Sequence, residues 1–185
     1  MPKTLESFDV ATSSIQPKVL DYLSSLEWIR TQQNLTIIGP AGTGKSHTLI
    51  GLGAAAIQAG HKVRYFTAAD LAETLCRGLA DNTVGKIIES LLRVDLIILN
   101  ELGFAPLDDI GTQLLFRPVA GAYERRSLAI GLRWPFEQWG RFLPLETTAF
   151  SIFHRLLHHA TVVITDGDYY RMKDAKHRKE QPTPT

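Results

Sequence analysis

Residues 39–46 read Gly39-Pro40-Ala41-Gly42-Thr43-Gly44-Lys45-Ser46, after the apolar run Leu35-Thr36-Ile37-Ile38 and before a stretch rich in small residues. This is the phosphate-binding pattern G-x-x-x-x-G-K-[ST] in a strand–loop–helix setting. The glycines let successive backbone N–H groups turn inward around phosphates, Lys45 reaches the β and γ oxygens, and the Ser46 hydroxyl ligates Mg²⁺. The helix that opens here adds the positive end of its dipole. A chance match in a chain of this length has odds of roughly one in a hundred or less. The expected ligand is ATP or ADP with Mg²⁺. It is held by Gly39, Pro40, Ala41, Gly42, Thr43, Gly44, Lys45 and Ser46, with His47 adjoining.

Outward from the loop, apolar strands alternate with helical patterns. A helix is predicted over 17–30, a strand over 34–38, and a helix from Lys45 to Gln58 ended by Gly60. A strand over 62–66 leads to Thr67, which caps a helix over 69–79. Asp81-Asn82-Thr83 then caps a helix running to Arg93. The continuous apolar run over 95–99 is what a parallel strand buried on both faces requires. A helix from Asp109, a strand over 127–132, a helix over 148–159 and a strand over 161–165 complete the pattern. The fold class is α/β: a doubly wound, parallel, five-stranded sheet flanked by helices. The expected division is a linker and helix over 1–33, the nucleotide-binding core over 34–173, and a charged tail over 174–185 too polar to pack.

Composition suits one such domain, since 44% hydrophobic residues in 185 can bury a sizeable core. The formal charge of +1 gives no global field for nucleic acid. The start, Met1-Pro2-Lys3-Thr4-Leu5-Glu6, is polar, and no membrane-spanning apolar run occurs. The lone cysteine, Cys76, forms no internal disulfide and has no metal-site spacing, which suits a reducing cytoplasm.

A second chemical site is expected where the third strand ends, at Leu96-Ile97-Ile98-Leu99-Asn100-Glu101. In phosphate-loop ATPases such a strand delivers a carboxylate to the magnesium shell, and a following Glu polarises the attacking water. Glu101 is placed for the second role. Asn100 stands where an Asp is expected, so it can accept a hydrogen bond from magnesium-bound water but brings no negative charge. Metal affinity and hydrolysis should suffer.

Several segments in order resemble the IstB-like AAA+ ATPases, helper proteins of bacterial transposons related to the DnaC-type helicase loaders. They are Lys3–Asp9, the phosphate loop, Tyr65–Leu71, Asn100–Leu107, Tyr123–Ser127, Pro135–Gly140, Arg155–Ala160 and Gly167–Arg171. The resemblance implies an AAA+ core with little or no C-terminal helical lid, whose subunits assemble on DNA in an ATP-dependent way and act on a transposase. It implies an active site between subunits. Arg155 then matches the arginine finger that neutralises charge on a neighbour's γ-phosphoryl group. Arg171 matches a second nucleotide sensor, and Phe8 and Ile15 match linker residues beside the adenine. Loader and transposition helper share this core, and a nucleotide-switched binding protein with little turnover is a further alternative.

Departures from the family pattern sharpen the expectation. Where members place Thr-Ser-Asn, the Asn sensing the γ-phosphate, this chain has Gly131, Leu132 and Arg133, followed by Trp134. His154 replaces an Asp before the finger, and Pro118 falls inside an expected helix. Members also carry a basic helical region ahead of the core, so the chain reads as a truncated product or an excised domain. Weak, non-specific DNA contacts would then come from Arg77, Lys86, Arg93, Arg125 and Arg126, or from the tail cluster of Arg171, Lys173, Lys176, Arg178 and Lys179. Trp28, Trp134 and Trp139 are read as packing residues. His158 and His159 are read as non-ligating, because neighbours on a helix diverge by about 100° and no third ligand is evident.

Overall fold

The computed structural model of the chain describes residues 3–7, 13–144 and 146–166. Five strands form one parallel sheet: β1 (Asn34–Ile38), β2 (Val63–Thr67), β3 (Leu96–Leu102), β4 (Ser127–Leu132) and β5 (Ala160–Ile164). Their order is β2-β3-β4-β1-β5. Helix α1 (Pro17–Ser24) and α2 (Glu27–Arg30) precede β1, and α3 (Lys45–Gln58) connects it to β2. The later crossovers carry α4 (Ala68–Ala80) and α5 (Val84–Leu91), then α6 (Asp109–Ala122), then a 3₁₀ turn (Phe136–Arg141) with α7 (Glu146–Leu157). No described helix is long and apolar enough to cross a membrane.

Strand side chains alternate between two buried layers, as a period of two requires. Leu35, Ile37, Leu96 and Ile98 pack in one layer with Leu49 and Leu52 of α3 and with Leu23 and Trp28 of α1 and α2. Ile97, Leu99, Leu128 and Ile130 pack in the other with residues of α4, α6 and α7. Each fully buried aliphatic or aromatic side chain contributes about 1.5–3 kcal/mol, more than most local preferences can oppose. Pro118 illustrates the balance. It costs ~3 kcal/mol inside a helix, yet α6 runs through it because Leu114, Leu115, Val119 and Ala122 are all buried there.

Some element boundaries differ from expectation for identifiable reasons. The predicted helix over 17–30 is two helices, broken at Leu26, whose φ of 59° is left-handed. Thr67 caps α4 by accepting from the Asp70 N–H at 3.1 Å. Thr83 stands at the cap position of α5 without a side-chain capping bond. The third strand extends through Asn100 to Leu102, with a register shift against β4 and Glu101 at φ 61°. The final helix stops at Leu157, and His159 takes a φ of 59° before β5.

Among the described residues, one buried side-chain group lacks a hydrogen-bond partner: the hydroxyl of Thr36, a residue 1% exposed. A buried hydroxyl without a hydrogen bond costs about 1–3 kcal/mol, whereas valine has nearly the same shape. Thr36→Val is therefore expected to stabilise the fold by about 1 kcal/mol, raising the melting temperature by about 2–4 °C. Scanning calorimetry checks this; an equal or lower melting temperature would mean that the hydroxyl is satisfied.

Candidate functional site

The sheet topology locates the site before any side chain is considered. From β1 the chain crosses to the far edge at β2, whereas from β4 it crosses over β1 to β5, so connections diverge between the adjacent strands β1 and β4. Ligands of open α/β sheets bind in the crevice at the carboxyl ends of such strands. The phosphate loop leaves β1 here, and Gly131, Leu132 and Arg133 leave β4 beside it.

Gly42 and Gly44 take φ values of 81° and 90°, where a side chain would be strained. Gly39 serves a different purpose, because a Cβ there would strike the side chain and carbonyl of Thr165. Thr165, 1% exposed, closes the loop from the end of β5: its N–H donates to Ile38 O at 2.7 Å and its hydroxyl lies 2.7 Å from that of Thr43. The loop is thus braced by a residue outside the motif. His47 braces the other side, its Nε2 lying 2.8 Å from the Thr4 carbonyl and 3.1 Å from the Ser7 hydroxyl.

Lys45 is only 5% exposed and donates to the Pro40 carbonyl at 2.6 Å. Burial, with added repulsion from Arg133, lowers its pKa to about 8. Arg133 thus places a second cation close enough to Lys45 to repel it. Its guanidinium lies over the rings of Trp134 at 4.8 Å and Phe104 at 5.6 Å, which orient it. A triphosphate favours the charged ammonium, so binding above pH 8 must take up a proton. Affinity is expected to fall toward about tenfold per pH unit above 8, with little change below 7. Calorimetry in buffers of different ionisation enthalpy measures the uptake; none at pH 9 would show that Lys45 is already fully charged.

Asn100 is 1% exposed, and its amide donates to Ser46 Oγ at 2.8 Å and Tyr65 OH at 3.0 Å. Tyr65 pairs in register with Ile98, so its ring lies on the same face of the sheet as Asn100 two residues on. Rotating the amide by a half-turn would present its carbonyl to both hydroxyls, which can donate equally well. Gly131 leaves the space this requires, since a Cβ there would strike the Asn100 carboxamide and Leu49. Glu101 is exposed beyond this cluster and lines a cavity of about 360 Å³ with Thr67, Glu73, Cys76, Phe104 and Asp108.

The remaining sequence-predicted residues lie elsewhere. Arg155, in the last turn of α7, lies over the rings of Phe116 at 5.4 Å and Tyr123 at 5.7 Å. It sits where β5 begins, at the opposite end of the sheet from the crevice, and so does not serve its own phosphate loop. Arg171, Phe8 and the tail lie outside the described residues. Ile15 is 2% exposed and belongs to the layer of Leu20 and Leu23. Trp28 and Trp139 are buried, with indole N–H groups bonded to the Leu23 and Trp134 carbonyls. Among the basic candidates, Arg77 pairs with Glu73 and Arg126 donates to the Leu92 carbonyl at 2.6 Å, whereas Lys86, Arg93 and Arg125 are exposed. Sequence reasoning missed the contacts of Tyr65 and Thr165 with the site: Tyr65 was noted only as the start of a family-like segment, and only the strand register could have revealed its place beside Asn100.

Comparison with known proteins gives the family and the fold. The family described as IstB-like ATP binding protein matches residues 1–178. An insertion sequence IS21 putative ATP-binding protein of Pseudomonas aeruginosa is 33% identical over 94% of this chain, and the chain spans 66% of that relative. Among solved structures, the replication initiator DnaA bound to AMPPCP and single-stranded DNA aligns with a TM-score of 0.71 at 20% identity, covering 95% of this chain and 54% of DnaA. The DnaC helicase loader aligns with a TM-score of 0.68 at 14% identity, covering 89% of this chain and 97% of that one. At these identities the two structures establish the P-loop AAA+ fold.

Proposed function

This chain belongs to the IstB-like ATP binding proteins, and from that premise we propose that it is the ATP-binding part of an insertion-sequence helper. It assembles on DNA when ATP is bound and then activates a transposase. The observation that carries this reading is the convergence of Lys45, Ser46, Asn100 and Arg133 on one crevice at the switch point of the sheet. Lys45 exchanges the Pro40 carbonyl for phosphate oxygens, and the loop N–H groups and the α3 dipole hold the remaining charge. Arg133 adds a second cation near the γ-phosphate.

Magnesium fits this site, because Ser46 supplies a hydroxyl and the rotated Asn100 amide a carbonyl acceptor; when bound, the ion neutralises phosphate charge. Glu101 orients and deprotonates the attacking water. Turnover is slow because Asn100 lacks the carboxylate charge. Arg155 acts on the neighbouring subunit, so the active form is a homo-oligomer. DNA binding is non-specific and carried by exposed cations such as Lys86, Arg93 and Arg125. The proposed setting is the cytoplasm.

Two measurements test this. Sedimentation of the chain with ATP and duplex DNA is expected to reveal oligomers that ADP does not support; a monomer under every condition would overturn the assembly reading. Asn100→Asp is expected to raise ATP turnover by about tenfold or more, the worth of one charge-assisted hydrogen bond. The rescue is partial because the neutral γ-phosphate sensor is still missing. No gain, even with Arg133→Asn added, would place the defect in assembly and refute the roles given to residues 100 and 133.

A further inference from the structure

At the end of the sheet opposite the crevice, two turns meet. Glu124 lies in the turn between α6 and β4, and His158 and His159 lie in the turn between α7 and β5. Glu124 Oε1 is 3.4 Å from His159 Nε2 and 3.8 Å from His158 Nδ1, and the three ligating atoms all lie within 4.8 Å of one another. The expectation that these histidines diverge fails for a local reason. The helix has ended at Leu157, and the left-handed φ of 59° at His159 brings the second ring back to 4.1 Å from the first. Glu124 is also left-handed, at φ 57°, and brings to the two imidazoles a carboxylate that the sequence left hidden.

We propose that Glu124, His158 and His159 form a binding site for a divalent transition-metal ion of the zinc class. A tetrahedral ion with bonds of about 2.0–2.1 Å places its ligands about 3.4 Å apart, so small rotations of exposed side chains complete the site. Two imidazoles and one carboxylate select zinc, cobalt or nickel, whereas magnesium prefers an all-oxygen shell and does not compete. Water takes the fourth position.

The Tyr123 hydroxyl now lies 2.7 Å from His158 Nδ1 and is displaced when the ion binds. Arg155, over the Tyr123 ring, opposes the ion's charge, but the three ligand side chains are 43–56% exposed and water screens that repulsion. The ion would join the turn after α6 to the turn after α7, fixing the end of the helix that carries Arg155.

Cobalt(II) and zinc titrations of the nucleotide-free chain test the site, with excess magnesium present. One equivalent of cobalt is expected, with the visible absorption of a four-coordinate ion, and zinc should displace it. Glu124→Gln and His159→Gln are each expected to weaken binding by at least about tenfold. His61→Gln, whose imidazole lies 3.8 Å from Asp95 at a separate site, should leave it unchanged. Absence of stoichiometric uptake, uptake unchanged in either ligand variant, or equal loss in His61→Gln would overturn the proposal.

Discussion

Replacing Lys45 by alanine is expected to lower ATP and ADP affinity by about a hundredfold or more. Two charge-assisted hydrogen bonds from the ammonium to phosphate oxygens are worth about 1.5–3 kcal/mol each, and water cannot replace them in a crevice where the side chain is 5% exposed. The same substitution removes a buried ammonium that burial already pushes toward neutrality. The folded state should therefore tolerate it, and circular dichroism of the variant serves as the control. Isothermal titration of the full chain with each nucleotide decides the matter. Affinity within a few fold of the parent would mean that the phosphates bind somewhere other than the loop.

The second large effect concerns Arg155, which lies far from its own phosphate loop. Arg155→Ala is expected to reduce ATP turnover by about a thousandfold, the lower end for arginine fingers, while nucleotide binding by the isolated subunit stays intact. Mixing Arg155→Ala subunits with Lys45→Ala subunits should restore activity, although each is inactive alone. Random mixing in equal amounts leaves about one interface in four with both groups present, which sets the expected yield. Complete failure of the mixture, with the parent active in the same assay, would show that Arg155 acts only through its own chain, by its stacking on Phe116 and Tyr123.

The parts of the site that sequence revealed are those whose chemistry and spacing are local. The phosphate loop and the Asn100-Glu101 pair each combine a continuous apolar strand with the polar residues that end it, so the position of each was legible. The strand order was legible only as a class, because alternating strands and helices fix parallelism but not which strands are neighbours. Tyr65 and Thr165 were hidden because their contacts with Asn100 and Thr43 arise from strand pairing across long sequence separations. The Glu124–His158–His159 cluster was hidden for a similar reason. It depends on two residues leaving the helical and extended regions of the backbone, and helical periodicity argued the other way.

In the assembly proposed above, the opposite placement of the nucleotide crevice and Arg155 has a consequence for polymer length. A contact between unlike surfaces of identical subunits is directional, so an open row always ends in one subunit whose nucleotide meets no arginine and another whose arginine meets no nucleotide. The two ends of such a row are chemically distinct. Specific activity would then depend on how many subunits a row contains, rising from dimer to longer rows and levelling off, with the terminal subunit left as a nucleotide-bound cap. A row laid along DNA would carry a built-in polarity, and a partner that recognises one end would be told both where the row stops and which way it points.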